Sequence, residues 1–230
     1  MATLSVVIPA FNEERFIGTL LDRILAVDLT PLGFSKEIIV VDDGSRDRTV
    51  EIASAVPGVR VHRMPVNGGK GQAVRAGIGL ATGELLIIQD ADLEYDPNDY
   101  VPMIEALQAK RGDVVYGSRY LGRGRHANQS LAAYLGGRSL SLVALLFTGR
   151  YLTDTVTAYK LFHRSDLTGL PLETSGFELD HEITARMLAR GRRIVEVPIA
   201  YHPRSREEGK KIGPADWFIA IKTFARFRNG

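Results

Sequence analysis

The chain has no cysteine among its 230 residues, a single tryptophan and a formal charge of only +2. Without cysteine there is no disulfide framework, thiolate nucleophile or zinc–thiolate site, and the usage is compatible with a reducing compartment. A balance of 29 basic against 27 acidic residues gives no reason to expect the strongly basic face on which nucleic acid binds. Long hydrophobic runs are missing too. The most apolar internal stretch, residues 140–147 between Arg138 and Arg150, falls well short of the roughly 20 residues that span a bilayer. The N-terminus enters a strand pattern with no basic leader or cleavage site, so the expectation is a cytoplasmic chain. No repeat, low-complexity tract or linker divides it, and one domain over residues 1–230 is expected.

What is present is a sequence 45% hydrophobic, much of it in short β-branched runs. Residues 4–8 and 37–41 are apolar runs closed by Pro9 and by Asp42-Asp43-Gly44, the pattern of buried parallel strands. Between them Asn12 is placed to cap a helix opening at Glu13, with Phe16, Ile17, Leu20, Leu21, Ile24 and Leu25 along one face. Helices are expected over 49–55 and 69–81, and strands over 59–63 and 84–89. This alternation predicts an α/β fold with a mostly parallel sheet flanked by helices. In such sheets ligands gather at the carboxyl ends of the strands. Polar motifs lie there: residues 9–13, 42–45 and 90–92 each follow directly on a predicted strand. Later elements are strands over 113–117 and 194–199 and helices over 132–147, 178–190 and 216–227. The 178–190 helix reads as amphipathic, with Ile183, Met187 and Leu188 inward.

Asp90-Ala91-Asp92 carries the chemistry. In an extended segment side chains alternate, so both carboxylates face one cation. Their oxygens suit Mg²⁺ or Mn²⁺, which few protein groups hold and which keeps positions for substrate phosphates. Glu94 is a candidate third ligand. By itself D-x-D equally describes solvated loop acids, and its weight comes from lying beside two other acidic strand ends. Asp42 is placed to accept a hydrogen bond from a base or ribose, while Gly44 and Ser45 also read as a turn and a helix cap. Gly68-Gly69-Lys70-Gly71 looks like a phosphate cradle and supplies Lys70 as a donor-site cation. It lacks the spacing and the following Ser or Thr of a P-loop, which argues against an ATP site.

Several motifs then occur together in a telling order: Pro9-Ala10-Phe11-Asn12-Glu13, Val40-Val41-Asp42-Asp43-Gly44-Ser45, Asn67-Gly68-Gly69-Lys70-Gly71, Asp90-Ala91-Asp92 and Gly117-Ser118-Arg119. In these the chain resembles family 2 glycosyltransferases, most of all the branch of dolichyl-phosphate mannose and glucose synthases. The likeness continues through Gly176-Phe177, Glu196-Val197-Pro198-Ile199 and Glu208-Gly209-Lys210-Lys211-Ile212. The resemblance implies a single GT-A domain, a nucleotide-sugar half over residues 1–118 and an acceptor half over 119–230. It implies inversion at the anomeric carbon, donor contacts from Pro9, Phe11, Asn12, Glu13 and Asp42, and a metal on Asp90 and Asp92. Glu94 stands where relatives often carry Gln. It further implies that Arg119, Arg138 and Arg204 hold an acceptor phosphate and that the basic loop with Lys210 and Lys211 closes on the ligands.

The expected activity is transfer of mannose or glucose from GDP-mannose or UDP-glucose to a polyprenyl phosphate. Arg suits such an anion through its planar fork of donors. A hydroxyl acceptor would need a carboxylate base, whereas a phosphate is already ionised. Asp180 lies near where hydroxyl-using relatives place that base, and both readings stand open for it, the alternative being a solvated acid in a first helical turn beside Glu182. The catalytic set is therefore Asp92, Asp180 and Arg119. Arg123, Arg125, Arg192 and Arg193 read as surface charges, and His126 and His181 as surface residues. Trp217, Phe218, Ile221 and Phe224 recur at helical spacing, so the last helix is a candidate for peripheral contact with the inner face of a membrane. Rival readings are a same-fold transferase using a saccharide or small hydroxyl acceptor, and a catalytically idle nucleotide-sugar-binding module. A sugar pyrophosphorylase would need a Gly-rich basic loop near the N-terminus, and none is there.

Overall fold

The computed structural model describes residues 1–121, 131–203 and 214–229. The apolar runs form a seven-stranded sheet. β1 (Ala2–Ala10), β2 (Phe34–Asp42), β3 (Val59–Arg63) and β4 (Leu85–Ile88) pair in parallel. β5 (Val114–Ser118) and β7 (Ile194–Pro198) are likewise parallel to each other, and β6 (Lys160–His163) runs antiparallel between β4 and β5. The order is β3-β2-β1-β4-β6-β5-β7. A mostly parallel sheet is thus observed, with one reversed strand that the hydrophobic pattern did not announce. The run of β6 begins with a lysine, and Lys160 is wholly buried.

Eight helices are described: α1 (Ile17–Ala26), α2 (Thr49–Ser54), α3 (Lys70–Leu80), α4 (Tyr100–Gln108), α5 (Leu131–Thr148), α6 (Arg164–Thr168), α7 (Leu179–Ala189) and α8 (Pro214–Phe227). Successive residues of a strand point to opposite faces. Leu4, Val6 and Ile8 of β1 accordingly join α1 and α4 in one core, while Val7, Ile39 and Val41 join α3 and α7 in the other. Each fully buried Leu, Ile or Val contributes about 1.5–3 kcal/mol of hydrophobic stabilisation. α5 and α8 form an outer layer on α7, meeting it through Ala144, Ala185, Phe224 and Phe227.

That outer layer corrects the reading of the 178–190 helix. Every residue of α7 from Leu179 to Met187 is buried, so it has no solvent face. The sheet covers Ile183 and Met187, and α8 covers the opposite side. Asp180 and Glu182 are therefore not solvated, and His181 is not a surface residue but packs 5.3 Å from Phe224. Asn12 and Ser45 are not helix caps. Asn12 has a left-handed backbone (φ 55) and its Oδ1 accepts from the Arg46 N–H, while the Asn12 N–H donates to Ser45 Oγ. The two residues bolt together the turns after β1 and β2, and α1 and α2 start further on.

Candidate donor and acceptor site

At the carboxyl edge of β1, β2 and β3 lies a cleft of about 580 Å³ lined by Phe11, Gly44, Ser45, Arg46, Arg63 and the 64–67 turn. Of the donor residues expected from sequence, Phe11 lines it directly. Asn12 and Glu13 fix its wall: Asn12 through Ser45 and Arg46, and Glu13 through its N–H on Thr49 Oγ1 at 2.8 Å. Pro9 pairs with Val41 inside the sheet, directly before this turn. The Asp42 carboxylate is fully buried under the cleft, accepts the Ser45 N–H and stands 3.6 Å from Arg63 Nε.

The glycine loop is held from two sides. Asp43 accepts the N–H groups of Gly68 and Gly69, each at 2.8 Å, while the Gly71 N–H donates to the Ser175 carbonyl at 2.6 Å. A β-carbon at Gly71 would stand 2.6 Å from the Thr174 carbonyl oxygen, so only glycine lets α3 approach this close. The donors at Gly68, Gly69 and Gly71 thus serve the protein's own oxygens. The loop is a packing joint that aims Lys70 inward, and its likeness to a phosphate cradle is superficial.

Lys70 Nζ lies 2.8 Å from Asp90 Oδ1 and 3.2 Å from Asp180 Oδ2, and Lys160 Nζ lies 3.2 Å from the other Asp180 oxygen. The result is an alternating ladder, Lys160, Asp180, Lys70, Asp90, with Asp92 beyond it. Burial raises the Asp90 carboxyl above its ordinary range, and the like charges of Asp92 and Asp180 add to this against Lys70. For Asp180 burial also opposes ionisation, yet the two lysines hold its carboxyl below the usual value. Burial pulls the Lys160 ammonium down, with Asp180 opposing.

The acidic motif is a turn, not the extended segment read from sequence. β4 ends at Ile88, Ala91 and Asp92 lie in a turn, and Leu93 is left-handed (φ 60). Glu94 is engaged within the protein: its side chain hydrogen-bonds with Tyr201, its N–H donates to Asp92 Oδ1 at 3.1 Å and its carbonyl accepts the His202 N–H. Among the described residues no three His, Cys, Asp or Glu side chains form a metal cage. A two-carboxylate set fits Mg²⁺ or Mn²⁺ nonetheless, because such ions are commonly held by one or two carboxylates plus substrate phosphates. The excess negative charge around Asp90 is the electrostatic counterpart of that donor set.

Arg119 and Arg138, expected from sequence at an acceptor phosphate, both lie over Tyr120, their guanidinium carbons 5.5 and 5.9 Å from its ring centre. Arg119 is buried and grips Asp154 through two bonds of 2.6 and 2.7 Å. Arg138 donates to the Thr153 carbonyl at 2.9 Å and to the Tyr151 hydroxyl. Glu196 of β7 in turn accepts from the backbone N–H groups of Thr153 and Asp154, so β7 anchors the turn that both arginines use. Asp43, Asp154, Lys160 and Glu196 complete the site without having been singled out from sequence. A lysine inside the apolar run Tyr159-Lys160-Leu161-Phe162 is the one local signal among them. Arg204, Lys210 and Lys211, like Arg123, Arg125 and His126, lie outside the described residues.

The mostly parallel sheet is shared with glycosyltransferases of the GT-A fold. The chain belongs to glycosyl transferase family 2, whose model matches residues 5–167. It is 32% identical to a dolichol-phosphate mannosyltransferase of Pyrococcus furiosus, covering 91% of this chain and 59% of that protein. An undecaprenyl-phosphate mannosyltransferase of Micrococcus luteus is 30% identical, over 90% of this chain and 86% of the relative. The chain thus spans most of one relative and little more than half of the other. Glucosyl-3-phosphoglycerate synthase from Mycobacterium tuberculosis, solved with Mn²⁺, UDP and glucosyl-3-phosphoglycerate, shares the fold at a TM-score of 0.73 and 24% identity, over 98% of this chain and 79% of that one.

Proposed function

We propose that the chain is an inverting hexosyltransferase that moves a sugar from a nucleoside diphosphate to a polyprenyl phosphate. A phosphate oxygen of the acceptor attacks the anomeric carbon from the face opposite the leaving group. The bond from that carbon to the diphosphate oxygen breaks, and the nucleoside diphosphate departs with the electron pair. Phe11 and the walls set by Asn12, Glu13 and Asp42 receive the nucleotide. Asp90 and Asp92 would hold a divalent cation, which would neutralise charge developing on the departing diphosphate. Arg119 and Arg138, both against Tyr120, would meet the acceptor phosphate. The names of the Pyrococcus and Micrococcus relatives support this acceptor class.

The observation that carries the reading is the state of Asp180. Its carboxylate is bonded to two lysines and held ionised, which makes it a poor proton acceptor at neutral pH. An acceptor that is already an anion needs no base. Transfer from labelled GDP-mannose and UDP-glucose to polyprenyl phosphate should survive Asp180→Asn to within about an order of magnitude, whereas loss of a general base lowers turnover about 10²- to 10⁴-fold. A loss of that larger size with calorimetric donor binding intact would overturn the phosphate acceptor in favour of a hydroxyl one.

A surface stripe supports a lipid-linked acceptor. Leu131, Leu135, Leu142, Leu145 and Leu146 share one face of α5 and are exposed, Leu146 to 79%. Phe218 and Ile219 of α8, the helix packed on α5, are exposed too. No described helix is long and apolar enough to cross a membrane. An exposed leucine face next to basic side chains suits peripheral contact with a bilayer, and Arg138 belongs to the same helix.

A further inference from the structure

We propose that the Lys70 ammonium is a resident counter-cation for Asp90 that a divalent metal must displace. The inference rests on the reading of Asp90 and Asp92 as the metal carboxylates. It begins from placement: Lys70 Nζ is 2.8 Å from Asp90 Oδ1 in a site where the Lys70 and Asp90 side chains are only 12% and 23% exposed. At that separation and burial, a charge pair is weakly screened. A divalent ion drawing on the same carboxylate would lie close to that ammonium and be repelled by it, so metal and ammonium bind Asp90 in competition.

The surroundings allow the exchange. The backbone of Lys70 is pinned, through the Gly69 N–H on Asp43 and the Gly71 N–H on Ser175. Its ammonium, by contrast, ends a flexible stem with three rotatable donors. Asp180 stays compensated whatever Lys70 does, because its second oxygen is bonded to Lys160, which is itself tied to the Thr157 carbonyl. Among the described residues Asp90 is ion-paired with Lys70 alone, while Asp92 and Asp180 face it as like charges. Lys70 can therefore leave Asp90 while keeping Asp180. The consequence is ordered chemistry: without nucleotide the site binds metal weakly, and the cation enters in company with the diphosphate.

The test is titration of the nucleotide-free protein with Mn²⁺, the free ion followed by electron paramagnetic resonance. Lys70→Met should tighten Mn²⁺ binding by about tenfold or more, as expected when a competing charge is removed from a partly buried site. Lys70→Gln, which keeps a donor but no charge, should move the same way, and Lys70→Arg should stay close to wild type. Unfolding curves establish that each variant is folded. If folded Lys70→Met and Lys70→Gln bind Mn²⁺ no more tightly than wild type, the competition is wrong. Adding Asp90→Asn to Lys70→Met should abolish the gain. If that double variant keeps the tighter binding, the metal is not on Asp90 and the reading of the carboxylates falls instead.

Discussion

Arg119 and Asp154 form a closed fork, Nε on Oδ2 at 2.6 Å and Nη2 on Oδ1 at 2.7 Å, with the Asp154 side chain fully buried. The Arg119 N–H also donates to Asp154, at 3.1 Å. Removing one member of such a pair strands a buried charge, whereas replacing both with apolar groups does not. Asp154→Ala should cost about 3–5 kcal/mol in urea unfolding, and the double variant Arg119→Met/Asp154→Leu should lose less than the single one. Equal or greater loss in the double variant would show that the fork is not a coupled unit. Asp154 is a positioning residue in the proposed reaction, so Asp154→Asn should raise the KM for polyprenyl phosphate while leaving donor affinity unchanged.

Acid should weaken this protein in part through α7. The carboxyls of Asp180 and Glu182 are both opposed by burial, yet they are held below their ordinary range, Asp180 by Lys160 and Lys70, Glu182 by Thr174, the 173–174 backbone and Arg186. With folded values lower than unfolded ones, the unfolded chain binds more protons as pH falls. Their contribution is complete above the free carboxylate values near 4 and disappears as pH drops through the lower folded values. Urea midpoints should hardly move in this respect from pH 7 to pH 5.5 and should fall steeply below about pH 4. A Glu182→Gln variant should show a shallower fall, and one as steep as wild type would remove Glu182 from the account.

Two glycines of α3 should respond in opposite directions to the same methyl group. At Gly71 it meets the Thr174 carbonyl oxygen at 2.6 Å and the Ser175 backbone at 2.7 Å, while at Gly79 nothing lies within 4 Å. Gly71→Ala should destabilise by about 1–3 kcal/mol through overpacking, and should weaken donor binding by displacing Lys70. Gly79→Ala should stabilise by about 0.5–1 kcal/mol, since alanine loses less backbone entropy in a helix. Thermal melts of the two variants check both signs.

The leucine face of α5 offers a clean test of membrane contact. Leu142→Glu with Leu146→Glu should reduce flotation with anionic liposomes several-fold while leaving the melting temperature within a degree or so, because surface changes away from packed groups are nearly neutral. Phe218→Ser belongs in the same set. Trp217 is less suitable, since its indole N–H donates to Ser139 Oγ at 2.8 Å and joins α8 to α5. Undiminished flotation, or none by the wild-type chain, would rule the stripe out as a bilayer contact.

The parallel strands were legible because strands buried on both faces write continuous apolar runs, and their acidic ends stand out against them. Val40, Val41 and Asp42 are such a case, and the structure carries β2 to Asp42. Local turn chemistry was less legible. Asn12 reads as a cap only while its neighbours in sequence are considered, and its true partners Ser45 and Arg46 come from the next strand's turn. For Asp180 the sequence left a base and a solvated acid both open, because a window of sequence shows none of the distant partners that bury it, Lys70 and Lys160, nor the 173–174 backbone that closes on Glu182. Asp154 and Lys160 were out of reach for a related reason. Lys160 owes its place to β6, which reverses through long-range pairing with Leu85–Ile88, and Asp154 owes its place to Glu196 of β7, which accepts its N–H from 42 residues away.

That reversal also decides how the molecule can be re-engineered. β6 belongs to the second half of the chain yet lies between β4 and β5 of the first. A chimaera joined at residue 118 would import a foreign strand into the middle of the host sheet and, with α7, a foreign partner for Lys70. Donor and acceptor preferences are therefore not separable cassettes. Exchange of acceptor specificity between relatives should work by grafting side chains around Tyr120 and on α5, with β6 left native to its partners.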